Sequence, residues 1–101
     1  MEERSDFKVI KDEAIGLEYE ISANGMVQAT GELAGVEIYF RAKNQEWIFD
    51  IANRDGKLPS DGYSGGFFKK EKYDNASSMT LNEAVIIIRK CIDEYLQVKN
   101  T

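Results

Sequence analysis

Three stretches of the chain alternate apolar and polar residues with a period of two, the pattern of half-buried strands. In the first, Leu17, Tyr19, Ile21 and Ala23 alternate with Glu18, Glu20 and Ser22. In the second, Val36, Ile38, Phe40 and Ala42 alternate with Glu37, Tyr39, Arg41 and Lys43. In the third, Trp47, Phe49 and Ile51 alternate with Ile48, Asp50 and Ala52. A weaker stretch runs from Met26 to Leu33, with Val27, Ala29, Gly31 and Leu33 as its buried set.

Parity sets the pairing, because a one-residue slip turns every side chain to the wrong face. A two-residue turn at Asn44-Gln45 puts Ala42 opposite Trp47, Phe40 opposite Phe49 and Ile38 opposite Ile51. On the other face Lys43 then meets Glu46, and Tyr39 meets Asp50. A type I′ turn there would ask Gln45 for a positive φ. Ala34-Gly35 as a turn pairs Leu33 with Val36 and Gly31 with Ile38. For the first hairpin, Asn24-Gly25 as a two-residue turn breaks parity. A three-residue loop, Ala23-Asn24-Gly25, restores it by pairing Ile21 with Val27 and Tyr19 with Ala29, and puts Gly25 at a left-handed position.

The apolar face needs a cover, and the C-terminal segment supplies one. Thr80-Leu81-Asn82-Glu83 is a capping-box pattern ahead of an apolar run. At 100° per residue, Leu81, Ala84, Val85, Ile87, Ile88, Cys91, Ile92, Tyr95, Leu96 and Val98 share one broad half of a helix. Ile86 stands alone in the polar half. Residues 6–15 fit two periods: Phe7 and Val9 alternate, while Phe7, Ile10, Ala14 and Leu17 make a helical stripe. The stripe favours a short N-terminal helix. The 27 residues from Asn53 to Met79 carry no long periodic signal, apart from a short fifth strand over Phe67 to Tyr73. The predicted class is α+β: one domain over residues 1–101, a four- or five-stranded antiparallel meander covered on one face by a long C-terminal helix.

Charge adds a location to this picture. The chain has 101 residues and a net charge of −5, from 13 basic and 18 acidic residues. Residues 1–40 hold nine acids against three bases, a balance of −6, and the remainder sums to +1. The pairing lines Glu18, Glu20 and Glu37 along one exposed sheet face. Such a surface repels phosphate backbones, whose binding depends on Lys and Arg, and attracts basic protein surfaces. Near the segment Tyr63 to Lys70, Asp61, Glu71 and Asp74 cancel Lys69, Lys70 and Lys72. The expectation is no nucleic-acid partner.

The counts also exclude chemistry. Histidine is absent, which removes His-based triads and imidazole acid/base catalysis. The single cysteine, Cys91, cannot form an internal disulfide and lies on the apolar stripe as a core residue. The charged start, Met1 to Asp6, lacks the apolar core of a signal peptide. The longest apolar run, Ala84 to Ile88, is far short of the ~20 residues that span a bilayer. The expectation is a cytoplasmic protein with no membrane partner. Asn53-Arg54-Asp55-Gly56 resembles part of a calcium loop, but the twelfth ligand position would be Gly62, where an acid is needed. Gly62-Tyr63-Ser64-Gly65-Gly66 has neither P-loop nor dinucleotide spacing. No cofactor or metal is expected. Glu18 and Glu20 lie about 7 Å apart by strand rise, a separation that carboxylate pairs use in glycosidases. An open sheet face gives them no desolvated cleft.

In size, charge and domain style the chain resembles the small acidic cytoplasmic immunity proteins that neutralise bacterial toxins, as in contact-dependent growth inhibition. The likeness includes no motif and carries over no functional residue. It implies a one-to-one complex with a toxin domain, often a nuclease with a basic active site. On that reading the candidate contacts are Asp12, Glu13, Glu18, Glu20, Glu37, Tyr39 and Asp50, with Tyr63 and Phe67 from the long loop. Acidic and aromatic side chains together suit an interface hot spot. The alternatives are a small enzyme or ligand binder that uses the 54–79 loop, and a homo-oligomer formed through Ile86, Ile48 and the sheet edge.

Overall fold

The computed structural model describes residues 7–99. Six strands form one antiparallel sheet in sequence order: β1 (Phe7–Asp12), β2 (Leu17–Ala23), β3 (Val27–Leu33), β4 (Val36–Lys43), β5 (Glu46–Ile51) and β6 (Phe67–Lys72). One helix, α1 (Leu81–Lys99), follows. The α+β meander with a C-terminal helix is as the sequence predicts. The strand count is larger, because the segment expected as an N-terminal helix is β1.

The reason lies in both faces of β1. Ile10 pairs with Tyr19 and packs on the core, so the inner set of this strand is Lys8, Ile10 and Asp12. Phe7, Val9 and Lys11 form the outer set. The strand ends at Asp12, whose carboxylate accepts from the Ala14 amide at 3.1 Å and opens a single 3-10 turn over Glu13–Ile15. Gly16 then turns the chain into β2 at φ 70°, a conformation that suits glycine.

The hairpins test the parity argument one by one. Leu33 pairs with Val36 and Gly31 with Ile38, as expected. Lys43 pairs with Glu46 and Phe40 with Phe49, also as expected. At that turn Asn44 has a φ of 60° and Gln45 is not among the positive-φ residues, so the turn is not type I′. The first hairpin has the right faces but a register two residues away from the expected one. Ala23 pairs with Val27, Ile21 with Ala29 and Tyr19 with Gly31, so the loop is Asn24-Gly25-Met26. A side chain at position 31 would collide with the Glu18 carbonyl and the Tyr19 backbone. Only glycine fits there.

Strand β2 contributes Leu17, Tyr19 and Ile21 to the core, β4 contributes Ile38 and Phe40, and β5 contributes Trp47, Phe49 and Ile51. Ala84, Ile88 and Ile92, spaced four apart on α1, are at most 1% exposed. Phe40 and Trp47 pack with ring centroids 6.0 Å apart. The helix begins with the predicted capping box: Glu83 donates its amide to Thr80 Oγ1 at 3.1 Å, and Glu83 Oε1 accepts from the Thr80 amide at 3.0 Å. Polar contacts hold its flanks to both edges of the sheet. Arg89 pairs with Asp12 of β1 at 2.8 Å, and Lys69 of β6 pairs with Glu94 at 2.9 Å. Among the apolar helix residues, Val98 joins Ile86 in solvent. Among the described residues, no helix is long and apolar enough to cross a membrane.

Candidate protein-interaction surface

The helix covers one face of the sheet. The register defines what the other face presents. Glu18 pairs with Glu32, and Glu32 pairs with Glu37, so three carboxylates stand side by side across β2, β3 and β4. Glu20 lies two residues along β2 on the same face. All four side chains are exposed. Lys11 is the cross-strand neighbour of Glu18, but no salt bridge joins these carboxylates to a cation among the described residues. Like charges directly opposite one another destabilise a sheet. Their spacing is well inside the Debye length of about 8 Å at physiological salt. An open depression of about 390 Å³ beside the row is lined by Glu18, Glu20, Thr30 and Glu32.

The far end of the same face has the opposite sign. Arg41, Lys43, Lys70 and Lys72 lie there, with Glu46 paired to Lys70 at 3.8 Å. The sheet face is therefore bipolar, with four carboxylates and Lys11 at one end and four cations and Glu46 at the other. Between the two ends Tyr39 is half-buried, with its hydroxyl 3.4 Å from Gln28 Oε1.

The predicted contact residues divide accordingly. Glu18, Glu20 and Glu37 come together on the exposed acidic end, with Tyr39 beside them. Glu13 is exposed in the 3-10 turn at the border of this surface. Tyr63 is 49% exposed on the long loop, and the Lys57 ammonium lies 5.6 Å from its ring centre.

Three of the predicted contacts are corrected by their surroundings. Asp12 lies on the helix side of the sheet, away from the acidic row, and its carboxylate accepts from Arg89 and the Ala14 amide. Phe67 faces the core, edge-on to Phe49 at 6.3 Å and to Tyr95 at 5.6 Å. Its neighbour Phe68 is the one that faces outward, 47% exposed. Asp50 alternates outward as expected but is fully buried, because the loop after β5 folds over it. The Ser60 amide donates to Asp50 Oδ2 at 2.8 Å, while Oδ1 has no hydrogen-bond partner. Ile48, expected at an oligomer contact, is also buried on this side, in a depression lined by Arg41, Pro59, Phe68 and Lys70.

Glu32 is the acidic residue that the sequence reading missed. In the expected register Glu18 would face Thr30. The two-residue shift brings Glu32 opposite Glu18 instead and completes the row.

Elsewhere, titration is shifted by burial in the core or by hydrogen bonding at its rim. Burial pushes the Tyr19 hydroxyl up to about 12, against a smaller opposing pull from Arg89. Burial likewise pushes the Cys91 thiol up to about 12, which keeps it protonated and inert at neutral pH. Hydrogen bonding to Glu94 raises Lys69, and hydrogen bonding to Asp12 raises Arg89. No group of three or more metal-ligating His, Cys, Asp or Glu side chains occurs among the described residues. Comparison of the chain with protein-family models, with curated proteins and with solved structures finds no match in any of the three.

Proposed function

We propose that this chain is a protein-binding module whose acidic sheet face occludes a basic surface of its partner, as an immunity or inhibitor protein does for a toxin domain. The observation that carries the reading is the row Glu18–Glu32–Glu37, with Glu20 beside it. Three like charges held in register across neighbouring strands weaken the free protein. A basic partner turns the same arrangement into favourable contacts and speeds the encounter. The paired strands beneath fix the backbone positions from which the carboxylates project, so the ordering cost on binding is confined to the side chains. Tyr39 and Glu13 border the row and supply the rest of the contact surface.

An enzymatic reading has less support. Glu18 and Glu20 stand on an open face, with no enclosure to desolvate either of them.

Co-purification from the native cell, read by mass spectrometry, tests the proposal. The expected result is one basic protein in a one-to-one complex that dissociates as salt is raised. Recovery of the bare chain, together with failure to bind any basic protein, contradicts it.

A further inference from the structure

The two edges of the sheet are built differently. Strand β6 carries Lys69, Lys70, Glu71 and Lys72, four charges in six residues, the usual protection against unwanted pairing. Strand β1 instead alternates its charges with apolar residues, Lys8, Lys11 and Asp12 among Phe7, Val9 and Ile10, and contains no proline. Phe7 and Val9 are each 51% exposed. All six residues of β1 are in register with β2, so its other side presents a regular backbone edge. Among the described strands nothing pairs with that side.

We propose that β1 is a self-association edge, pairing antiparallel with β1 of a second copy around a two-fold axis at Ile10. The charge pattern selects both occupant and register. With Ile10 opposite its own counterpart, Lys8 of each copy faces Asp12 of the other, and Val9 faces Lys11. Two opposite-charge pairs form, and the apolar stem of Lys11 covers Val9. With Val9 at the axis instead, Lys8 would face Ile10 and no charge would be matched. A basic strand from another protein would meet Lys8 and Lys11 and be repelled.

The groups that the Ile10 register pairs retain hydrogen-bonding capacity. Lys8 Nζ contacts only a neutral group, Asn82 Oδ1 at 2.7 Å, among the described residues. Asp12 accepts one bond at each oxygen, from Arg89 and Ala14, and a carboxylate has about four acceptor sites. The contact is isologous and closes as a dimer. It joins two sheets into one of twelve strands and leaves the acidic row of each copy uncovered, so it is compatible with the proposed partner binding and independent of it.

Sedimentation of the full chain from micromolar to millimolar concentration, with cysteine cross-linking, tests the proposal. Residues directly opposite across an antiparallel pair have Cα atoms about 4.5–5.5 Å apart, within the range a disulfide spans. The expected result is a concentration-dependent dimer, a covalent dimer of Ile10→Cys under mild oxidation, and none of Val9→Cys. The native Cys91 is buried and does not compete. Lys8→Glu, at an exposed position, weakens the dimer at least tenfold. A chain that stays monomeric throughout overturns the proposal. So does cross-linking through Val9→Cys in place of Ile10→Cys, or a Lys8→Glu dimer of unchanged strength.

Discussion

Glu18 of β2 and Glu32 of β3 are direct cross-strand partners on the exposed face of the sheet, and they carry the same charge. Glu37 extends the pair into a row across β4. This arrangement predicts that the protein becomes more stable when the row is broken. Glu32→Lys places a cation between two carboxylates and replaces two repulsive pairs with two attractive ones. The expected gain is roughly 0.2–1 kcal/mol per pair, read as a rise in melting temperature at low salt that shrinks in 1 M salt. A loss of stability at low salt would show that the row is not held at the spacing described.

The long loop is tied to the outer face through Asp50. The Ser60 amide bonds one carboxylate oxygen, and the other oxygen is unmatched. Asp50→Ala removes the tie, and Arg54 and Lys57 should then be cut faster by trypsin. Asp50→Asn keeps an acceptor for Ser60 and should retain the slow rate. Equal cleavage of all three proteins would mean that the loop is held by other contacts.

Alkaline pH should unfold the protein through two buried groups. Tyr19 rises from 10.0 to about 12, and Cys91 from 9.0 to about 12. In both cases the unfolded chain loses its proton first, so stability is full below about 9 and falls as pH rises toward 12. Tyr19→Phe cannot ionise and should flatten the fall above pH 10. Chemical denaturation at stepped pH values reads this directly. An unchanged slope in Tyr19→Phe would exclude Tyr19 as a contributor.

Much of the fold could be read from alternation and turn chemistry, and the failures have identifiable causes. Ala34-Gly35 and Asn44-Gln45 join strands of clear parity, and both registers are as predicted. Parity cannot detect a slip of two residues, and that is the error at Asn24-Gly25-Met26. Strand β1 was obscured because its inner residues Lys8 and Asp12 are polar. Their partners, Asn82 and Arg89, lie 74 and 77 positions away. Asp50 was placed on the correct side of the sheet, but an irregular loop leaves no periodic trace of the cover it provides. The acidic face was legible as Glu18, Glu20 and Glu37. Its densest part needed Glu32, which only the true register brings into line.

The two consequences of the acidic row run in opposite directions, and this separates a binding surface from ordinary surface charge. On the proposed function, substitutions that relieve repulsion should stabilise the free chain and weaken its complex. The most direct measurement is the affinity of the co-purified partner for the unaltered chain and for a Glu18→Gln, Glu32→Gln, Glu37→Gln variant, titrated at several salt concentrations. The account predicts at least a tenfold loss of affinity and a shallower salt dependence, in a variant that melts no lower than the parent. Equal affinity with an equal salt slope would contradict it.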